Sequence, residues 1–364
     1  MSDGEIHVLD LFAGTGGLTA GFHAGSARFR SVGAVEMDRA AAASYAASFP
    51  ETPVSPGRIE DWLERGDLPK NVDVVVGGPP CQGFSTLGRQ DAEDERNTLW
   101  RQYARTLVLT QPKYFVVENV AAFARSPQYL DFVAETGPTG SLRDYAFQHR
   151  ILNAADYGSP QLRKRAVLIG YHRDLEFPGF PEPTHAAEPT LNGLKPYVTV
   201  GQALKGVPLE PDKDDVRDRV THFHSIPMPG EFSPRDLHWS RTYTMLSRNR
   251  FANIPEGGNR FDLPADLLAP CWVKHKTGSG DVMGRLRSDR PSVTIRTEFF
   301  KPEKGRYIHP KADRAITHYE AALLQGFPTE HRFIGNRGEI ARQIGNAVPI
   351  PLGAAIARQL AKQF

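Results

Sequence analysis

An α/β chain built on a mainly parallel sheet with helices on both faces is predicted by two observations. Short apolar runs alternate with helix-patterned segments through the first half, and the runs end at glycines or at acids. A third observation sets the domain plan. After Gly170 the periodicity gives way to an irregular stretch rich in Pro, Gly, Arg and aromatic residues, which predicts a smaller second domain of loops and short strands.

Ile6 to Phe12 is a buried-strand run that ends in a glycine-rich turn, and Leu18 to Ala24 opens a helix. Val32 to Val35 is a second strand, ending at Glu36. Arg39 to Phe49 is Ala-rich and helical, with Pro50 just beyond it. Val72 to Val76 is a third strand, and the Gly77-Gly78-Pro79-Pro80 that follows can continue neither helix nor strand. Asn97 to Thr110 is apolar at helical spacing, Tyr114 to Val117 is a strand ending at Glu118, and Arg165 to Ile169 gives one more. Phe177 to Pro196 is proline-rich and reads as a linker. Helical patterning returns at Ile316 to Leu324, and Pro351 to Phe364 is an amphipathic helix with proline near its start. Open α/β sheets bind ligands beyond the carboxyl ends of their strands. Asp10 with its glycines, Glu36, Cys81 and Glu118 all stand at such ends.

The 364 residues suffice for two domains. Composition is that of an ordinary globular protein, 40% hydrophobic and 24% charged. No apolar stretch is long enough to span a membrane, and Met1 to His7 lacks the pattern of a secretory signal. Two cysteines, Cys81 and Cys271, support neither a disulfide scaffold nor a structural zinc site, and fit a reducing, cytoplasmic setting. No metal site is expected. The net charge of +2 gives little global attraction to nucleic acid. Gly230 to Arg306 is more basic, with 14 Lys and Arg against 9 Asp and Glu, although a solvated polar surface explains that equally well.

Asp10-Leu11-Phe12-Ala13-Gly14-Thr15-Gly16-Gly17 lies between a strand and a helix, where glycines let the backbone approach a ligand. A dehydrogenase fingerprint needs a third glycine where Thr19 stands. Glu36, at the next strand end, is placed to bind ribose hydroxyls, so a nucleoside-containing cofactor is expected. Pro79-Pro80-Cys81-Gln82-Gly83-Phe84-Ser85 is more specific. A lone cysteine is usually a packing residue, yet this one follows two prolines at a strand end, and protease-type cysteine motifs do not match.

Taken together these segments resemble the DNA cytosine-5 methyltransferase family of the bacterial restriction-modification type. The segments 10–17 and 79–85 are similar to its first cofactor motif and its nucleophile motif. Arg96 to Trp100, Glu118-Asn119-Val120, Gln161 to Arg165, Arg290 to Ile295 and Gln343 to Pro349 resemble later motifs in family order across nearly the whole chain.

The resemblance implies a Rossmann-like S-adenosylmethionine-dependent methyltransferase fold. A catalytic domain would comprise 1–185 plus 301–364, and 186–300 would be the target-recognition domain. It also implies methyl transfer from S-adenosylmethionine to C5 of a cytosine flipped out of double-stranded DNA. Cys81 would attack C6, Glu118 would relieve ring charge at N3, and Arg163 and Arg165 would hold the base carbonyl, the sugar-phosphate or Glu118. Asp10, Phe12, Gly14, Gly16, Gly17, Glu36, Met37, Ile59, Pro80, Leu99, Asn346 and Val348 would hold the cofactor. The expected DNA contacts are Gln82 and Ser85 on the loop after Cys81, with Arg235, Arg241, Arg248, Arg250, Arg260, Lys274, Lys276, Arg285 and Arg287 in the variable segment. Cys271 is expected to pack structurally. The sequence departs from the family twice: Arg58 stands where an acid often precedes Ile59, with Asp61 a substitute, and Ala347 replaces a serine. A monomer is expected, with no obligate partner beyond a possible cognate endonuclease acting on the same DNA site, in a nucleoid-associated cytoplasmic location. A tRNA cytosine methyltransferase of the same fold and a catalytically silent DNA-binding regulator are the competing readings; intact Cys81, Glu118 and Arg165 speak against the silent one.

Overall fold

A computed structural model describes residues 4–80, 99–188, 193–212, 218–274 and 277–364. These fall into two compact units: 1–157 with 164–184 and 348–364, and 158–163 with 185–347.

The first unit is organised on a seven-stranded sheet. In chain order it runs β1 (Ile6–Leu11), α1 (Gly17–Gly25), β2 (Phe29–Glu36), α2 (Arg39–Ser48), β3 (Val54–Pro56), α3 (Ile59–Arg65), β4 (Val74–Gly77), α4 (Leu99–Thr110), β5 (Tyr114–Val120), α5 (Pro127–Glu135), β6 (Tyr145–Asn153) and β7 (Lys164–His172), and a C-terminal helix Ile350–Ala361 completes it. The strand order is β3-β2-β1-β4-β5-β7-β6. Pairing is parallel as far as β5, then antiparallel through β7 and β6.

Side chains alternate across a strand, and here both faces are covered. Ile6, Val8, Val74, Val76, Val116, Val167 and Ile169 join one core with Leu18 and Phe22 of α1 and Leu352, Ile356 and Leu360 of the C-terminal helix. Leu9, Leu11, Val75, Phe115, Val117 and Leu168 join the other with Trp62 and Leu63 of α3, Tyr103 and Leu107 of α4 and Phe132 of α5. This two-sided burial is why the strands read as continuous apolar runs. Glycine lets α1 and the C-terminal helix meet closely, since a Cβ on Gly21 would come within 2.7 Å of the Gly353 Cα.

The second unit has little regular structure. Its core gathers Phe251, Ile254, Leu263, Met283 and Ile308. Arg285 is buried at its centre, donating to the carbonyls of Phe251, Ile254, His309 and Ala312 and to the Asp313 carboxylate. A second buried pair joins Arg314 to both oxygens of Glu320 at 2.8 and 2.7 Å. These bonds explain a difference from the sequence-based boundaries. Residues 301–347 pack with 185–300, because the guanidinium of Arg285 is satisfied by carbonyls from both segments; only 348–364 joins the sheet. Among the described residues no helix is long and apolar enough to cross a membrane.

Candidate active site

The strand register brings the candidate residues to one level. Leu11 pairs with Val35 and with Gly77, and Gly77 pairs with Val117. The next residues, Phe12, Glu36, Gly78 and Glu118, therefore stand at one level at this end of the sheet. The chain winds outward from β1 to β3 and then returns to place β4 on the other side of β1. The gap between β1 and β4 is the topological switch point, where open α/β sheets bind ligands.

The loop after β1 is shaped by its glycines and by one strained residue. Phe12 holds φ 55, the left-handed region that non-glycine residues seldom occupy. Gly14 follows at φ 57, and a Cβ added there would have no atom within 4 Å, so open space lies over the loop. Gly16 serves packing, because a Cβ would come within 2.4 Å of the Phe49 ring. Glu36 ties the loop down, Oε2 accepting the Gly14 N–H at 2.7 Å and Oε1 the Asp38 N–H at 2.6 Å. Burial pushes its carboxyl upward against the opposing pull of these bonds. A carboxylate has lone pairs beyond those two, so Glu36 retains capacity for hydroxyl donors. Met37, immediately after it, is 62% exposed.

Beneath the loop lies a polar core that the sequence hid. Asp10 is fully buried and accepts the Thr19 hydroxyl at 2.7 Å; the same hydroxyl is 2.8 Å from the Tyr45 hydroxyl. Burial raises the Asp10 carboxyl to about 7 and pushes the Tyr45 phenol up as well. Thr19, which breaks the dehydrogenase glycine pattern, thus anchors α1 to β1. Asp10 shapes the loop from below rather than reaching a ligand from the strand end, because its carboxyl is enclosed by side chains.

At the far side, Glu118, two residues before the end of β5, forms an ion pair, Oε1 accepting Arg165 Nε at 2.7 Å, with side chains 10% and 14% exposed. Antiparallel pairing sets this up: Glu118 faces Val167 and Val120 faces Arg165 on β7, so the two charges share one face two residues apart. Gly78 admits the carboxylate, since a Cβ would stand 3.3 Å from Glu118 Oε2. Asn119 Nδ2 donates to the Pro79 carbonyl at 2.9 Å and fixes the stem just before Cys81. Cys81, Gln82 and Ser85 themselves lie outside the described residues, as does Lys276.

The family model for C-5 cytosine-specific DNA methylases matches residues 6–362. The chain belongs to this family.

As a member it is a DNA cytosine-5 methyltransferase with S-adenosylmethionine as methyl donor. Similar proteins include the Type II methyltransferase M1.HphI of Haemophilus parahaemolyticus, 34% identical over 98% of this chain and 87% of its own length. M.XorII of Xanthomonas oryzae pv. oryzae is 33% identical over 97% and 84%. Among solved structures, a chain assigned as a prophage-encoded DNA modification methyltransferase of Escherichia coli shares the fold at a TM-score of 0.70, with 24% identity and 99% of both chains covered. A Spodoptera frugiperda DNMT2 mutant does so at 0.55, with 18% identity over 98% of this chain and 99% of its own.

Several methylase motif residues have places the sequence did not foretell. Arg163 is buried, with Nη1 donating to the Ile295 carbonyl and Nη2 to Gly345, both at 2.9 Å. This corrects its reading as a catalytic residue: both terminal nitrogens clamp backbone within the second unit. Gln161 does the same, accepting from Ile295 N–H and donating to Gln325 Oε1. Ile59 is buried at the start of α3, so its side chain serves the core; Arg58 is exposed and 3.6 Å from Glu60. Leu99 and Pro80 are half-buried, Val348 is buried in the first unit, and Asn346 is exposed at the end of Arg337–Asn346 in the second. Gly17 begins α1.

The expected DNA readers divide in the same way. Arg285 is the buried hub already described, so it cannot read bases. Arg260 is 8% exposed and donates to the Thr277 carbonyl, and Arg250 is held by the Leu267 carbonyl and the Trp272 ring, so both are tied into the fold. Arg235, Arg241, Arg248, Lys274 and Arg287 are exposed, with Arg287 bonded to both oxygens of Asp289. Cys271 is also exposed, contrary to the packing role expected of it.

Proposed function

We propose that this methyltransferase is the modification enzyme of a restriction-modification pair, methylating one duplex DNA sequence that a cognate endonuclease would cut. The names of its Type II relatives support that setting. We also propose that it acts as a monomer in the cytoplasm, with 164–184 and 348–364 completing its catalytic unit and the second unit contacting DNA.

The observation that carries the catalytic assignment is the Glu118–Arg165 pair beside the Gly78–Pro80 stem. The Cys81 thiolate would form a bond from Sγ to C6 of the flipped cytosine, and C5 would gain an electron pair. Arg165 holds Glu118 Oε1, so that Oε2 shares a proton with ring N3 and draws charge from the ring. When bound, S-adenosylmethionine would supply an electrophilic methyl carbon, to which C5 gives its electron pair while the sulfonium sulfur keeps the pair of the broken S–CH3 bond. Loss of the C5 proton and cleavage of Sγ–C6 then return Cys81. The open space over Gly14, the acceptor capacity of Glu36 and the exposed Met37 fit a nucleoside-bearing cofactor. Phe12, Gly16 and Gly17 shape that cradle; Pro80, Leu99 and Val348 complete the proposed contacts, and Ile59 offers backbone.

Bisulfite sequencing of DNA from a methylation-free host expressing the chain tests this. One protected sequence is expected, lost in Cys81→Ala while duplex binding persists. Full methylation by Cys81→Ala, or transfer to tRNA alone, would overturn the reading.

A further inference from the structure

A surface helix of a globular protein turns its apolar stripe to the core and its polar residues to water. The helix Met245–Ala252 of the second unit does the reverse. Its inner side carries Phe251, buried in the core of the unit, with the half-buried Ser247 and Arg250 beside it. Arg250 Nε donates to the Leu267 carbonyl at 2.8 Å, and its guanidinium lies 5.3 Å from the centroid of the Trp272 ring. The outer side carries Met245, 75% exposed, and Leu246, 48% exposed. Arg248, Asn249 and Ala252 are exposed as well. Met245, Arg248, Asn249 and Ala252 follow the spacing i, i+3, i+4, i+7 and share one face, with Leu246 on its flank.

Packing fixes this orientation. Thr244 Oγ1 accepts the Ser247 N–H at 3.2 Å and caps the helix, so rolling Met245 inward would expose Phe251 and break the Arg250 bond. Among the described residues neither the Arg248 guanidinium nor the Asn249 amide has a partner. Apolar side chains held in water beside unmet donors mark a face built for a partner. Charge names its class. Ser240 to Pro255 contains Arg241, Arg248 and Arg250 and no carboxylate, which favours a polyanion over a protein surface. Dimensions agree, since a helix of eight residues is about 12 Å long and the major groove of a duplex, about 12 Å wide, admits a helix.

We propose that this helix lies in the major groove of the substrate duplex and reads part of the methylated sequence. Arg248 would donate to O6 and N7 of a guanine, and Asn249 would bond N6 and N7 of an adenine. Met245 and Leu246 would meet thymine methyl groups, and the small Ala252 lets the base edges approach. The assignment gives Arg248 and Arg250 opposite tasks, one reading and one anchoring, and adds Met245, Leu246 and Asn249, which no charge pattern would single out. The inference rests on the second unit contacting duplex DNA.

Bisulfite sequencing of DNA from a methylation-free host, repeated with Arg248→Gln and Asn249→Ala, tests it in the full chain. Each variant should relax the methylated sequence at one base pair, with discrimination there reduced about tenfold or more and the other positions kept. Met245→Glu sets a carboxylate on the same face and should weaken duplex binding about tenfold or more. Leu130→Glu, 65% exposed on α5 of the first unit, should leave binding unchanged. All these side chains are exposed, so urea midpoints should match the parent, which separates lost reading from lost folding. An unchanged methylated sequence in the Arg248 and Asn249 variants would overturn the inference, whether or not binding weakens, because contact without relaxation is contact with phosphate alone. Equal loss in Met245→Glu and Leu130→Glu would overturn it as a general charge effect. So would a dimer of the free chain that Met245→Glu dissociates at full duplex affinity, which would give the face to a second copy. In each of these cases the parent still methylates one duplex sequence and the proposed function stands; a parent that methylates no duplex DNA would overturn both.

Discussion

Asp10→Asn replaces the buried carboxyl beneath the cofactor loop with a neutral group of the same shape, still able to accept the Thr19 hydroxyl. In the folded chain burial raises this carboxyl from 3.8 to about 7. Between those values the folded state keeps a proton that the unfolded chain has lost. Stability therefore falls as pH rises through this window, and is flat once pH exceeds about 7. At 1.36 kcal/mol per unit, the whole shift is worth about 4 kcal/mol, and the near-complete burial of Asp10 calls for no discount for solvent. The asparagine variant carries no such penalty. It should match the parent only below about pH 4, exceed it by about 1.6 kcal/mol at pH 5 and by about 4 kcal/mol at pH 8. Urea unfolding of both proteins at half-unit intervals from pH 5 to 8.5 gives the difference directly. Most other titrating groups cancel in that difference; Glu36, raised partly by its neighbours, shifts a little with it. Parallel stability profiles for the two proteins would show that Asp10 is already ionised in the fold, and the buried-proton reasoning would be wrong.

Arg165→Gln strands the Glu118 carboxylate in a site where both side chains are nearly enclosed. Stability should drop by about 3 kcal/mol and single-turnover methyl transfer by about 100-fold or more, with S-adenosylhomocysteine binding retained; a variant of full rate would remove Arg165 from the mechanism. Gly14→Ala adds a methyl group where no protein atom lies within 4 Å, at a positive φ. Folding should lose about 1 kcal/mol, whereas calorimetry should show cofactor affinity reduced tenfold or more; unchanged affinity would place the cofactor elsewhere. Burial holds His309 at about 4 and His318 and His331 at about 3. Because the unfolded chain then binds protons more tightly, stability must fall as pH drops below 6.5. The loss is about 2 kcal/mol per histidine by pH 5, visible as a falling urea midpoint, and a constant midpoint from pH 7 to 5 would contradict it.

The sheet was legible because parallel strands covered on both faces must be apolar along their whole length. Val72 to Val76 could be little else. The strands that escaped notice break that rule for identifiable reasons. β3 is three residues long, and β6 is an edge strand whose exposed Gln148, His149 and Arg150 interrupt any apolar run. That the strand ends carrying the Asp10 loop, Glu36, the segment before Cys81 and Glu118 converge was also legible, since it follows from the order of a parallel sheet. Asn119 was not singled out, because an amide bonding a proline carbonyl across 40 positions leaves no local pattern.

Arginines mark where sequence reasoning loses its grip. A guanidinium carries five donors and no acceptor, so the same side chain satisfies a phosphate, a guanine edge or a set of main-chain carbonyls. Arg163 and Arg165 are two residues apart in one motif, yet one clamps Ile295 and Gly345 while the other holds Glu118. Arg285 and Arg287 repeat the division: the first is buried under carbonyls, the second is exposed beside Asp289. Both pairs have the spacing i, i+2, which in extended chain puts the two side chains on the same face. Periodicity therefore cannot separate them. What separates them is which segment, distant in sequence, brings its carbonyls within reach, and that is decided by the packing of the loop-rich unit. A basic stretch in such a unit accordingly contains clamps as well as candidate DNA contacts, and among the described residues expected to read DNA the exposed ones are Arg235, Arg241, Arg248, Lys274 and Arg287.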